Sequence, residues 1–281
     1  SVMNNILTFR AFCEDAKQYG KSGGVLFADE YKGYDCQSTM KVIEEFWQSG
    51  PPEAMLALVC ECLGMTKVQV LTAYGYTEPL WRKNGEDQGG VDSPHWFNVG
   101  NVLESQEIDE VLRRGGGYWM GKPGGRKGCM ITKKSYVDDI NVYAAVAGTG
   151  KRGIKSGPMG EGMQRVVNMM ALRCEFFKEG YASDKMYVMA TGEGQEEWDG
   201  LHFKGKLVAR IGVAEAQRVL GAKMAGDLSL EHQDNKALED CRGALEVSKR
   251  RIHNAEQMRE FLLVKVVSRA LFGVEVSPMS E

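Results

Sequence analysis

YVDD, residues 136–139, sets two carboxylates side by side between an apolar and β-branched approach and the run INVYAAVA (140–147). Two such segments meeting at so tight a junction read as a β-hairpin. Ordinary hairpin tips take Asn-Gly or Asp-Gly, whose backbones reach the angles the turn needs. Adjacent like charges repel, so Asp138-Asp139 is either a solvated turn or a pair neutralised by cations. A third acid bears on the choice: VLFAD (25–29) is a short apolar run that reads as a buried strand delivering Asp29 to its end. Magnesium prefers hard oxygen ligands, one or two carboxylates together with phosphate oxygens, and a strand-end Asp with a hairpin pair supplies that set. Spacing alone leaves open whether Asp29 and Asp138 meet in space.

The chain has 281 residues, 43% of them hydrophobic, enough for a sizeable core in one large domain or two smaller ones. Its formal charge of −3 gives no global sign of a nucleic-acid partner, so any basic surface is local. Cysteines stand at 13, 36, 60, 62, 129, 174 and 241 without zinc spacing, and read as reduced thiols of an intracellular protein, nuclear or cytoplasmic. No signal-peptide pattern opens the chain and no apolar run reaches membrane length, so no membrane partner is expected.

Asp35 is placed to cap a helix over 38–48, and a second helix covers 52–64. TKVQVLTAYG (66–75) and the stretch after Tyr76 read as two strands, and a helix capped by Asp92 or Ser93 runs on to about Arg113. GGGYWMGKPGGRKG (115–128) reads as a flexible basic loop or hairpin tip. A helix near 159–179, strands near 185–190 and 203–213, and two charged helices over 231–272 follow. Gly148-Thr149-Gly150-Lys151-Arg152 fails as a phosphate-binding loop, because Ala145 and Arg152 stand where a glycine and a metal-binding hydroxyl belong. This order suits an α+β sheet domain with a helical appendage.

DEYKGYD (29–35), QGGVDSPHWFN (88–98) and YVDD (136–139) together resemble the ordered motifs of reverse transcriptases, most closely those of non-LTR (LINE-type) retrotransposons. The first is similar to D-x-x-K-A-[FY]-D with Gly33 for alanine, the second fits Q-G-x-x-x-S-P-x-x-F-N, and the third is the Y-x-D-D box. The resemblance implies an α+β polymerase palm over residues 1–228, its central antiparallel sheet flanked by helices, and a helical thumb segment over 229–281. Fingers are largely missing from that scheme, since only residues 1–28 precede Asp29 and Ser1 stands in place of Met. The chain is therefore expected to be part of a longer polyprotein.

The resemblance implies that Asp29, Asp138 and Asp139 hold two Mg2+ ions, Mn2+ being an alternative, with Asp29 and Asp138 the principal ligands and the backbone carbonyl of Glu30 an additional one. Tyr34 matches the aromatic gate beneath the incoming sugar, Gln88 and Gly89 contact nucleotide and template, and Tyr136 lies near the primer terminus. Phe97 and Asn98 buttress the site, Leu220 and Gly221 match the primer-grip turn, and Lys185 matches a general acid. Taken as residues alone, Tyr34 is as readily a half-buried core tyrosine, and Lys185, set too early for the family spacing, is better read as a surface lysine. Lys122, Arg126 and Lys127 in the loop, and Lys249-Arg250-Arg251 further on, suit a phosphate backbone or simply a solvated face.

The expected function is RNA-directed DNA polymerisation with an RNA template, a DNA primer and dNTPs. A viral RNA-dependent RNA polymerase is disfavoured by the Gln88–Pro94 pattern and by Tyr34. From another class comes the alternative of an inactive or domesticated retroelement fragment that binds nucleic acid or serves as a scaffold.

Overall fold

In a computed structural model the chain is described over residues 2–31, 33–64, 67–81, 85, 93–125, 127–136, 139–145, 159–191, 200–215, 217–219 and 222–224, with single positions at 226, 228, 235, 239, 242, 243 and 246. The elements run α1 (Val2–Tyr19), β1 (Gly23–Asp29), α2 (Gly33–Cys36), α3 (Thr39–Gln48) and α4 (Glu53–Gly64). Next come the short strands β2 (Lys67–Val68), β3 (Leu71–Thr72), β4 (Gly75–Tyr76) and β5 (Leu80–Trp81). They are followed by α5 (Ser93–Val99), α6 (Val102–Arg114), β6 (Tyr118–Met120), β7 (Cys129–Ile131), β8 (Lys133–Tyr136), β9 (Asp139–Ala145) and α7 (Met159–Phe177). The rest comprises β10 (Tyr187–Thr191), β11 (His202–Phe203), β12 (Lys206–Leu207), β13 (Ala209–Ile211), β14 (Gln217–Val219) and β15 (Ala222–Met224).

A five-stranded sheet in the order β13-β10-β1-β9-β8 carries helices on both faces. Its pairings are antiparallel except for β10 with β13, which is parallel, so the expected antiparallel sheet is mixed at one edge. Side chains alternate across the sheet with a period of two. Leu26, Ala28, Ile140, Val142, Val188 and Ala190 face α6 and α7, whereas Val25, Phe27, Tyr143, Ala145 and Met189 face α1. The α1 core is aromatic: Phe9 packs on Phe27 at 5.7 Å between ring centroids, and Phe12 on Tyr118 at 4.6 Å and Tyr143 at 5.4 Å. Helix α1 was not foreseen, although Ile6, Phe9, Cys13 and Ala16 keep the three-to-four spacing of one helical face and are all buried.

Three local expectations differ from the structure. The cap of α3 is Ser38, whose hydroxyl accepts from Lys41 N at 3.4 Å, while Asp35 lies within α2. The single helix from Ser93 is broken into α5 and α6 at Gly100-Asn101. There the Asn101 side chain bonds Glu30 and Lys41 rather than capping its own helix, and a β-carbon at Gly100 would meet Gln37 Nε2 at 2.5 Å. The stretch 67–81 forms an exposed arm of two successive strand pairs, β2 with β5 and β3 with β4, in place of two longer strands.

Of the two readings of 115–128, the hairpin tip holds: β6 pairs antiparallel with β7, Met120 opposite Cys129, and the rest of the segment connects them. Buried Lys21 fixes it to α1 by donating to Asp15 Oδ2 at 2.6 Å, to the carbonyl of Trp119 at 2.9 Å and to that of Gly121. Asp15 completes the knot by accepting from Tyr118 Oη at 2.8 Å and Gly121 N at 2.7 Å. The expected thumb, 229–281, lies outside the described residues but for Asn235, Glu239, Arg242, Gly243 and Glu246, which are helical.

Candidate active site

Asp29, the last residue of β1, is the direct cross-strand partner of Asp139, the first residue of β9. Directly opposed residues in an antiparallel pair hold their β-carbons about 4.5–5.5 Å apart on one face. Asp29 is in phase with Val25 and Phe27, and Asp139 with Tyr143, so both acids belong to the α1 face, beyond its apolar cluster. Tyr136 pairs with Asp139 across a two-residue connection. Val137 and Asp138 in that connection, and the side chain of Tyr136, lie outside the described residues.

Lys185 donates from Nζ to Asp29 Oδ2 at 2.5 Å. Its side chain is 63% exposed and that of Asp29 22%, so the pair stands at the solvent boundary. Backbone pairing delivers it there: Tyr31 N donates to Gly180 O at 2.8 Å, Ala182 N to Asp29 O at 2.9 Å, and Lys185 N to Ala182 O at 2.9 Å. The lysine read by its spacing as a surface residue is thus both exposed and bonded to the first acid. Sequence reasoning passed over Tyr187, which pairs with Phe27 in register and stacks on it at 5.2 Å. Burial, and then the charges of Asp139 and Asp29, push its phenol up. The period-two phase it shares with Met189 in β10 was the available signal.

Half-buried Tyr34 sits on α2 against the fully buried ring of Phe97, centroids 5.1 Å apart. Of the two residues expected to buttress the site, Phe97 packs on Tyr34 and Asn98 is exposed. Gln88, Gly89, Leu220 and Gly221 lie outside the described residues; β14 and β15, flanking the last two, form a hairpin.

Glu30 points to the opposite face from Asp29, in phase with Leu26 and Ala28, so its side chain takes no part in the carboxylate pair. It accepts from Asn101 Nδ2 at 2.9 Å within a buried polar network. Lys41, 1% exposed, donates to Asn101 Oδ1 at 2.7 Å and Glu179 Oε2 at 2.9 Å, with Glu104 Oε2 at 3.7 Å. Arg173 pairs with Glu45 at 2.6 Å, Tyr181 Oη donates to Glu104, and Lys133 Nζ donates to Ser105 Oγ at 2.7 Å.

Burial pushes the Glu30 carboxyl up to about 8, against the pull of Lys41, and that of Glu45 up to about 7 despite Arg173. Burial alone would lower Lys41, but Glu104, Glu179 and Glu30 hold it above its ordinary value. Between the ordinary carboxyl range and those raised values the native state binds more protons than the unfolded chain, so stability falls as pH rises. The free energy of unfolding is expected to drop steadily from about pH 5 to pH 8, by no more than about 1.4 kcal/mol per pH unit for each carboxyl. Glu30→Gln should flatten that slope, as titrated unfolding would show.

Against solved structures the chain aligns with telomerase from Candida tropicalis in complex with a TWJ fragment of telomeric RNA, at a TM-score of 0.52 and 10% identity over 98% of this chain and 41% of that one. The chain shares the fold of the aligned part of that telomerase chain. Apo telomerase from the same organism matches at 0.48 with 11% identity, over 98% of this chain and 46% of that one. A form of it truncated from the C-terminal domain matches at 0.49 with 13% identity, over 79% and 37%. The chain thus spans less than half the length of these telomerase chains. No family model and no curated protein matches it.

Among the described residues no three His, Cys, Asp or Glu side chains gather as a metal set, and Asp138 lies outside them. The opposed Asp29 and Asp139 nonetheless fit a hard divalent cation: both supply carboxylate oxygens on one face, and Asp29 already draws an ammonium to 2.5 Å. No helix among the described residues is long and apolar enough to cross a membrane.

Proposed function

We propose that this chain is the palm, with a thumb segment, of an RNA-directed DNA polymerase of the LINE type, extending a DNA primer with dNTPs on an RNA template. The observation that carries the reading is the register of Asp29 opposite Asp139 on the face that also holds Lys185 and Tyr187. The fold shared with the Candida tropicalis telomerase, and the telomeric RNA fragment bound there, support nucleic acid as the partner. Asp29, Asp138, Asp139 and the Glu30 carbonyl would hold two Mg2+ or Mn2+ ions, which when bound acidify the primer 3′-hydroxyl and neutralise the triphosphate.

The protein's own groups do the rest. Lys185 Nζ, bonded to Asp29, offers a proton to the departing pyrophosphate. Tyr34, backed by Phe97, closes the space a 2′-hydroxyl would occupy. Gln88 and Gly89 contact nucleotide and template, Tyr136 flanks the primer end, and Leu220 and Gly221 grip the primer. A second reading, a polymerase-like scaffold that binds nucleotides without turnover, is favoured by the neutralisation of Asp29 by Lys185.

Primer extension on an RNA template with magnesium separates the two, since only the first gives deoxynucleotide addition. In the same assay Tyr34→Ala should raise ribonucleotide relative to deoxynucleotide insertion by about 10- to 200-fold, the range for one small group in a fitted pocket. An unchanged ratio would remove Tyr34 from sugar selection.

A further inference from the structure

Three pieces of the nucleotide site converge on Gln37, a residue to which no motif assigns a role. It follows α2, which carries Tyr34, and its own N donates to Gly33 O at 3.0 Å. Its side chain is 2% exposed, and Nε2 donates to the carbonyl of Phe97 at 3.0 Å, the residue whose ring supports Tyr34. Its carbonyl accepts from Gly85 N at 2.7 Å, three residues before Gln88. Gly85 lies on the backbone of the gate: its φ is +89°, and a β-carbon there would meet Asp35 O at 2.5 Å and Tyr34 O at 3.0 Å. One side chain and one peptide unit thus tie the gate, its support and the segment entering the Gln88-Gly89 motif.

Gln37 Oε1 is buried and finds no hydrogen-bond partner among the described residues. Burying an amide with one bond unmade is unfavourable, and an apolar side chain of similar volume avoids the loss. Local rules of this kind are broken most often where a site requires it. Gly100 leaves the amide its space, since a β-carbon there would stand 2.5 Å from Nε2.

We infer that Gln37 is a positioning residue for sugar selection, holding Phe97 and the Gly85 segment so that Tyr34 stays closed beneath the incoming sugar. The inference rests on the polymerase reading above. A merely structural glutamine would affect both sugars alike. A positioning one affects their ratio, because a small displacement of the gate changes the space for a 2′-hydroxyl while the deoxy sugar still fits.

The test is single-nucleotide insertion by the full chain on an RNA template with a DNA primer, comparing kcat/KM for a dNTP and the matching rNTP. Gln37→Met keeps the volume and removes both the donor and the orphaned acceptor, and Gly100→Ala displaces the amide from the far side. The expected result is a folded Gln37→Met with the dNTP/rNTP ratio reduced about tenfold, its thermal midpoint lowered by no more than the loss of one buried hydrogen bond. Gly100→Ala should lower the ratio in the same direction, which keeps the inference testable if Gln37→Met folds poorly. Parent activity with an unchanged ratio in the folded variants would overturn the inference alone. A folded parent that inserts neither nucleotide would overturn the polymerase reading, and this inference with it.

Discussion

Asp29→Asn is expected to lower dNTP insertion by at least about 10³-fold, a loss of about 4 kcal/mol of transition-state stabilisation. Asn keeps the shape and removes the charge that pairs with Lys185 and would face the metal ions with Asp139. Because Asp29 closes β1 at the solvent boundary, the fold should survive, and the thermal midpoint of the variant should stay near that of the parent. Steady-state insertion kinetics alongside calorimetry check both halves. A variant that retains activity would remove Asp29 from the chemistry, and one that unfolds would make its role structural.

Lys41→Met has the largest expected effect on stability, a loss of about 3–5 kcal/mol, because it leaves buried carboxylates without their cation. Lys41 bonds Glu179 and Asn101 and faces Glu104, and the same network holds the side chain of Glu30, next in sequence to Asp29. In a chain of this length the loss lowers the thermal midpoint by on the order of 10 °C. It should be smaller near pH 5, where the carboxyls left behind take up protons, and larger near pH 8. A midpoint unmoved at either pH would show that these charges are not coupled to folding.

The local elements were legible because their signals are local. VLFAD reads as a buried strand, and β8 and β9 are paired neighbours in sequence, Tyr136 opposite Asp139. The spacing of α3, α4 and α7 fixes their faces. The pairing of Asp29 with Asp139 was not legible, since it joins strands more than a hundred residues apart and a slip of one residue would turn the acids to opposite faces. Lys185 misled for a related reason: its position depends on the Gly180–Ala182 backbone bonding to β1, and motif spacing does not record that pairing. Lys41 looks in sequence like any helix-surface lysine. Only the meeting of α3, α6 and the end of α7 reveals it as the buried centre of a network. The break at Gly100-Asn101 was hidden likewise, because its cause is Gln37 and Glu30 on other elements.

The central claim is that the sheet register makes Asp29 and Asp139 one metal-binding pair. Anomalous diffraction from crystals of the chain with template, primer, a non-hydrolysable dNTP and Mn2+ tests it most directly. The account predicts manganese peaks about 2.1 Å from carboxylate oxygens of both Asp29 and Asp139, with Lys185 displaced from Asp29 toward the phosphates. Nucleotide bound with no manganese at these two residues, and Lys185 still paired to Asp29, would contradict it.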